Sequence, residues 1–197
     1  MEDAVEQLDQ LARSVGGCTR CEKLVACRLR AVPGAGHPHC AVMVVSLHPD
    51  PADEQGESAA GTSVLEGLTA FMPALRESRD KVYVTTLTKC VPRTACEIRA
   101  PEAEEQDNCY PFLSRELTIT TPHYVLPVGE ATTRYLLGRL FKHLPYEPGD
   151  SLELRLFDNP AFKIVPVATP EELLTRDAAA RKEYGERLRT LSKVMGL

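Results

Sequence analysis

The chain has 197 residues, of which 43% are hydrophobic and 26% are charged, and its formal net charge is −5. This length suits one hydrophobic core, and the composition is typical of a globular fold rather than a disordered one. The apolar runs are far shorter than the roughly 20 residues of a membrane helix, so we expect no membrane partner. An acidic balance does not by itself indicate nucleic-acid binding, which usually uses an excess of Lys and Arg.

The first segment predicts an amphipathic helix. Over residues 2–15 the apolar side chains recur on one helical face, and Gly16 and Gly17 then end the pattern. The segment is acidic, and it lacks both the basic start and apolar block of a secretory signal and the Arg-rich pattern of a transit peptide. We therefore expect a cytoplasmic protein, with one domain over residues 1–197 that begins with this helix and a cysteine-rich loop.

Four short runs of branched residues, each closed by turn signals, predict β-strands. The runs cover residues 41–47, 82–87, 124–128 and 163–168. Helical patterns fill the gaps, over residues 63–77, 101–117, 130–141 and 170–194, and residues 145–159 predict a loop with a hairpin. Strands that alternate with helices predict a parallel sheet with helices on both faces. The expected fold is α/β, a three-layer α/β/α sandwich with a central, mostly parallel, four-stranded sheet.

The seven cysteines favour metal binding or reactive thiols over a disulfide framework, because their number is odd and no export signal precedes them. Cys18 and Cys21 form a CxxC pair, a spacing at which two thiolates can hold one metal or cluster. Cys90 ends the second predicted strand and Cys109 lies 19 residues later. Since the CxxC pair is not repeated, the pattern differs from a zinc ribbon and suits a larger cluster with dispersed ligands.

The other three cysteines have several interpretations. Cys40 adjoins the first predicted strand, and we interpret it as a small buried apolar residue. Cys27 and Cys96 are either further ligands or bystanders.

Five segments form an ordered set of motifs. They read CTRCEKLVACR at residues 18–28, VPGAG at 32–36, VYVTTLTKCVPR at 82–93, RAPEAEEQDNCYPFL at 99–113 and TPHYVLPVGEATTRYLL at 121–137. In this order and spacing, the motifs resemble the iron-sulfur, or family 4, uracil-DNA glycosylases. The resemblance implies the fold of the uracil-DNA glycosylase superfamily, a role in DNA repair, and a structural 4Fe-4S cluster. Its ligands would be Cys18, Cys21, Cys90 and Cys109.

Four positions depart from the pattern that the resemblance implies. The Gly-Glu-Ala-Pro-Gly motif, whose acid helps to orient a water, is matched by SLHPD at residues 46–50. The segment with the aromatic residue that stacks on uracil is matched by GESAAG at residues 56–61, which offers Ser58 and Ala59. Thr86 takes the place of the asparagine that reads the uracil edge, and Thr169-Pro170-Glu171 takes the place of the His-Pro-Ser motif.

The SLHPD stretch has two interpretations. In the first, His48 holds a water or acts as a base and Asp50 orients the histidine, which makes both candidate catalytic residues. In the second, Pro49 and Pro51 preserve a rigid turn, while His48 and Asp50 are solvated loop residues.

Basic residues are concentrated near the predicted cluster. Residues 76–99 contain six Lys and Arg against three acids, whereas residues 46–66 contain five acids and no Lys or Arg. Lys89, Arg93 and Arg99 are the candidates for contact with a DNA backbone, with structural ion pairs as the alternative for each. The last helical pattern mixes both charges with regularly spaced apolar residues, which favours a packing helix over a DNA-binding one.

These observations support two classes of function. In the first, the protein is an iron-sulfur member of the superfamily that binds nucleic acid or a protein partner, with standard uracil excision lost or strongly altered. In the second, it is an active DNA glycosylase of base-excision repair with a changed base specificity. That enzyme would use His48 to position water and Tyr83 or Tyr110 as the pocket aromatic.

Overall fold

The computed structural model describes residues 3–56, 61–94 and 97–197. Its helices are α1 Ala4–Gly16, α2 Glu22–Cys27, α3 Pro51–Glu54, α4 Thr62–Thr69, α5 Ala74–Glu77, α6 Ala103–Thr120, α7 Glu130–Leu140, α8 Pro170–Thr175 and α9 Ala178–Met195, with a 3₁₀ turn at Arg79–Lys81. Its strands are β1 Ala35–Gly36, β2 Val42–Ser46, β3 Val82–Thr86, β4 Arg93–Thr94, β5 Glu97–Ile98, β6 Tyr124–Pro127, β7 Phe157–Asp158 and β8 Lys163–Ile164. None of the described helices is long and apolar enough to cross a membrane.

The main sheet is mostly parallel, as the sequence predicts. Its strand order is β1-β3-β2-β6-β8-β7, with four parallel inner strands and an antiparallel strand at each edge. The inner strands are the four predicted ones, but the sheet has six strands rather than four. Both edge strands are two residues long. Such short strands contain no alternating pattern that could reveal them in the sequence.

Alternate side chains of the central strand enter two separate core layers. Val42 and Val44 pack with residues of α4, α5, α8 and α9, whereas Met43 and Val45 pack with residues of α6 and α7. Successive side chains of a strand point to opposite faces, so a strand buried on both faces reads as a continuous apolar run. This packing confirms the three-layer sandwich.

Two predicted helices are each divided in the structure. The pattern over residues 63–77 forms two helices, α4 and α5, with Pro73 between them. The helix is interrupted there because proline has no N–H to continue the helical hydrogen bonds. The pattern over residues 170–194 forms α8 and α9. Here Asp177 begins the second helix, since its carboxylate accepts a hydrogen bond from the backbone N–H of Ala180 at 2.8 Å.

A buried ion pair connects the sheet with α6. Lys89 is 1% exposed, and its Nζ donates to Glu116 Oε2 at 2.8 Å, to Thr85 Oγ1 at 2.5 Å and to the carbonyl of Thr86 at 2.8 Å. The other oxygen of Glu116 accepts from the backbone N–H of Gly34 at 3.2 Å. A Cβ on Gly34 would lie 2.7 Å from side-chain atoms of Glu116 and Thr85, so the close approach requires glycine. The network therefore joins the VPGAG loop, β3 and α6.

Candidate cluster site and crevice

Four cysteines from three distant segments meet in one part of the core. Cys90, after β3, and Cys109, in α6, are buried beside Phe112, and Cys18 and Cys21 pack against this group from the loop after α1. These are the four cysteines that the resemblance implies as ligands.

Three N–H groups point at the sulfurs of this group. Arg28 Nη1 donates to Cys90 Sγ at 3.2 Å, and the backbone N–H of Lys89 donates to Cys109 Sγ at 3.2 Å. Asn108 Nδ2 lies 3.7 Å from Cys21 Sγ. Donors in this arrangement stabilise negative charge on sulfur. Arg28 and Asn108 were not predicted as part of this site, although both lie inside the motifs and Asn108 directly precedes Cys109.

Burial opposes ionisation of the thiols themselves. Desolvation raises the pKa of Cys109 to about 12, an effect that the hydrogen bond from Lys89 partly offsets. Desolvation also raises the pKa of Cys90, and the hydrogen bond from Arg28 again opposes it. Because metal ligands are thiolates, a metal group would have to displace protons from these cysteines and supply compensating positive charge.

The residues around the four cysteines fit the chemistry of an iron-sulfur cluster. Across residues 3–56, 61–94 and 97–197, no group of three or more His, Cys, Asp or Glu side chains is arranged to hold a metal ion. Four thiols in a mostly apolar pocket, with N–H donors aimed at three of them, match what such a cluster needs.

The remaining described cysteines lie apart from this group. Cys40 belongs to the core layer of α6 and α7, in agreement with its interpretation as an apolar residue. The Cys27 thiol donates to the carbonyl of Lys23 at 3.1 Å, within α2. Cys96 lies outside the described residues.

The C-terminal ends of the parallel strands are the usual place for a ligand site in an open α/β sheet. His48 follows β2 and is half-buried, with Nδ1 2.9 Å from the carbonyl oxygen of Pro49. A carbonyl oxygen only accepts, so we assign the proton of the neutral ring to Nδ1. This tautomer leaves Nε2 as a hydrogen-bond acceptor.

Asp50 has a structural position at the start of α3. Its carboxylate accepts from the backbone N–H of Ala52 at 2.9 Å, and Asp53 Oδ2 accepts from the N–H groups of Asp50 at 3.0 Å and Gly61 at 2.9 Å. Within the described part of the chain, no hydrogen bond joins Asp50 to His48. The role of Asp50 as a helix cap is therefore the one that its contacts support.

Two further residues that depart from the family pattern, Thr86 and Thr169, also form hydrogen bonds within the chain. Buried Thr86 donates its hydroxyl to the carbonyl of Thr88 at 2.7 Å. Thr169 forms a capping box with Glu172, in which its Oγ1 accepts from the N–H of Glu172 at 3.1 Å and the Glu172 carboxylate accepts from the N–H of Thr169 at 2.8 Å. Ser58 and Ala59 lie outside the described residues.

The cap at Thr169 makes a direct stability prediction. We expect Thr169→Ala to lower the free energy of unfolding by about 1 kcal/mol, because the first turn of α8 loses its side-chain acceptor. Urea unfolding measures the change. Thr190→Ala is the control, since its exposed hydroxyl only donates back to the carbonyl of Glu186 within α9. An equal loss in both variants would contradict the capping role.

The three basic residues predicted to contact DNA are all in ion pairs. Arg93 lies 2.6 Å from the fully buried carboxylate of Glu54, and Arg99 lies 2.6 Å from Glu105. Their side chains keep 17% and 21% of their surface exposed, so both can still reach a ligand. Lys89 cannot, because its ammonium group is buried against Glu116. The structure thus corrects the prediction for Lys89, whose place is in the core.

An open α/β sandwich with a mostly parallel sheet is shared by many classes of protein, and comparison of sequences identifies the class of this one. Residues 33–191 match the model of the uracil DNA glycosylase superfamily, and the chain belongs to that superfamily. This match confirms the family that the motifs indicate.

Several relatives carry the name type-4 uracil-DNA glycosylase. The protein of Saccharolobus solfataricus is 31% identical over 137 residues, which cover 69% of this chain and 62% of the relative. That of Sulfurisphaera tokodaii is 29% identical over 69% of this chain and 60% of the relative. That of Archaeoglobus fulgidus is 24% identical over 98% of this chain and 95% of the relative. The chain therefore spans about three fifths of the first two relatives and nearly all of the third.

Proposed function

We propose that this protein is an iron-sulfur member of the superfamily that binds DNA without carrying out standard uracil excision. One observation carries the proposal. Asp50, Thr86 and Thr169, which lie in or near the positions of the family's functional motifs, are each engaged in hydrogen bonds within the chain. Their side chains serve the fold, in caps and a turn, and not a ligand.

The chemistry of base removal explains why these changes matter. Excision needs a flipped base held by stacking and edge hydrogen bonds, a positioned water, and a donor for the departing base anion. Thr169 stands where the resemblance implies a histidine for the last of these tasks, and its Oγ1 already accepts the N–H of Glu172. A hydroxyl used as a helix cap is a weak substitute for an imidazole that can carry positive charge.

We further propose that Cys18, Cys21, Cys90 and Cys109 hold a 4Fe-4S cluster. The names of the relatives and the convergence of the four thiols support this assignment. When bound, the cluster would connect the loop after α1, the end of β3 and α6 as a structural cross-link. We also propose the cytoplasm as the compartment, because an odd number of cysteines suits metal-binding or reactive thiols better than a disulfide framework.

DNA is the proposed partner because the named relatives are uracil-DNA glycosylases. Arg93 and Arg99 are partly exposed and are the candidates for phosphate contact. A protein partner is the alternative if no DNA binding is found.

A second function has one observation in its favour. The hydrogen bond between His48 Nδ1 and the Pro49 carbonyl leaves Nε2 as an acceptor at the strand ends. An imidazole held in this tautomer can position or deprotonate a water, as an active glycosylase with a changed base specificity would require.

An excision assay distinguishes the two functions. We expect iron-loaded protein to leave single- and double-stranded oligonucleotides carrying uracil, hypoxanthine or xanthine intact, because the groups needed for base removal are missing. Abasic sites are measured as strand cleavage under alkali, and DNA binding is measured in parallel. Cleavage that is lost in His48→Ala and kept in His143→Ala, an exposed histidine on another surface, would establish the second function instead. Absence of both cleavage and binding would contradict both functions.

A further inference from the structure

A groove with basic walls lies between α9 and the connection from α4 to α5, on a surface built from other elements than the cysteine site. Its volume is about 340 Å³. The lining residues are Ala70, Phe71, Arg181, Lys182, Gly185 and Arg189. Three of the six are cations and none is an acid, in a chain whose net charge is −5.

The cations of the groove have no acidic partners. Among the described residues, no ion pair within 4.0 Å involves Arg181, Lys182 or Arg189. By contrast, Lys89, Arg93 and Arg99 are paired with Glu116, Glu54 and Glu105. The groove thus presents three cations that are in no ion pair among the described residues, and such cations attract an anionic ligand.

The helical spacing arranges this charge in a line. Arg181, Gly185 and Arg189 are separated by four residues each, so they lie on one face of α9, beside the face that packs in the core through Tyr184 and Leu188. Eight residues of helix correspond to about 12 Å along its axis. Phosphates of one strand of duplex DNA recur about every 3.4 Å along its axis, so the two arginines could span roughly three to four of them.

Gly185 lines the groove without contributing a side chain to it. Glycine is unfavourable inside a helix, and a Cβ at this position would meet only the carbonyl of Phe71 at 3.9 Å, an ordinary contact. Core packing therefore does not require glycine here, since alanine would fit and would favour the helix. Gly185 is itself buried at the bottom of the groove, and an added methyl group would occupy space between the two arginines.

We infer that this groove is a second nucleic-acid contact, which binds the phosphate backbone independently of sequence. The inference rests on the proposed DNA binding and adds a surface outside the crevice. The lining offers three cations, and contacts of cations with phosphate oxygens are the same for every base sequence. An anionic membrane is a poorer fit, because interfacial helices insert an apolar face and Val194 is the one large apolar side chain exposed on α9 among the described residues.

Binding of a 20-nucleotide oligothymidylate tests the inference by fluorescence anisotropy, with iron-loaded full-length protein and a salt titration. We expect Arg181→Gln/Arg189→Gln to weaken binding about tenfold. Its slope of log K against log salt should fall by about 1.4, because each phosphate contact on a single strand contributes about 0.7. The matched control is Arg13→Gln/Arg115→Gln, which removes two exposed, unpaired arginines from α1 and α6 and should bind like the wild type.

Gly185→Ala supplies an independent test in which folding and binding change in opposite directions. We expect a higher Tm, because alanine favours the helix, together with weaker binding, because the methyl group raises the groove floor. A merely structural glycine would show the rise in Tm without the loss of binding.

The other outcomes of the binding experiment would overturn the proposed role of the groove. Wild-type binding that Arg181→Gln/Arg189→Gln leaves unchanged would overturn the groove and leave the proposed function intact. An equal loss in the control double variant would attribute the effect to overall charge and would also overturn the groove. Failure of the wild type to bind any oligonucleotide would overturn both proposals. Binding to phosphatidylserine vesicles but not to DNA would assign the groove to a membrane surface.

Discussion

Cys109→Ala is expected to remove the iron, the acid-labile sulfide and the brown colour from the purified protein. Cys109 is buried in α6 and is the proposed ligand that connects this helix to the loop after α1 and the end of β3. A cluster that loses this thiolate loses one corner of its protein attachment, and the three segments lose their cross-link. Visible absorption and iron and sulfide analysis measure the loss, and thermal unfolding measures its effect on stability.

Cys27→Ser is the matched control, because the Cys27 thiol is hydrogen-bonded within α2 and should not affect the cluster. This variant should keep its iron and colour. The assignment would be wrong if Cys109→Ala retained a full complement of iron. Colourless wild-type protein with stoichiometric zinc would contradict it as well, since tetrahedral thiolate sites also bind zinc.

Lys89→Met is expected to lower the free energy of unfolding by about 3–5 kcal/mol. The ammonium of Lys89 is 1% exposed and donates to Glu116, to Thr85 and to the carbonyl of Thr86. Its removal leaves the carboxylate of Glu116 buried without a compensating charge, a larger cost than the loss of a surface ion pair. Urea unfolding of the iron-loaded protein measures the change, with iron content checked for each variant because Cys90 is the next residue.

Two further variants serve as controls for the Lys89→Met experiment. Lys142→Met, at an exposed lysine, should change the free energy of unfolding by less than about 0.5 kcal/mol. In Lys89→Met/Glu116→Gln the buried charge is neutralised, and glutamine can still accept from the N–H of Gly34, so part of the lost stability should return. A single variant as stable as the wild type, or a double variant without any recovery, would show that the pair is not a major source of stability.

Lys89, Asp50 and Thr169 have their polar groups engaged within the chain. Each satisfies the protein's own backbone or carboxylates. Buried polar groups need partners, so these side chains cannot be released without a loss of stability. The free cations of α9 are a contrasting case, because no acid within 4.0 Å of them in the described part of the chain competes with an external anion.

Much of the fold was predictable because its signals are local. The continuous apolar runs at β2 and β3 indicate strands that are buried on both faces, and strands that alternate with helical patterns require parallel crossovers. The two-residue edge strands and the division at Pro73 escaped prediction, because the edge strands have no periodic pattern and the helical pattern continues across the proline. The spacing of Cys18 and Cys21, with Cys90 and Cys109 further along, likewise indicated a cluster through the motifs.

By itself, the sequence determined the layers of the sandwich, the family and the cysteines proposed to act together. These features were predictable because periodicity and motif order depend only on the order of residues along the chain. Only the tertiary structure decided which polar residues have partners. Lysine is usually exposed, and nothing next to Lys89 reveals that Glu116, 27 residues away, meets it in the core. Nor does the sequence reveal that Arg181 and Arg189 line one groove together with Ala70 and Phe71, because contacts between distant segments depend on how the helices pack on the sheet.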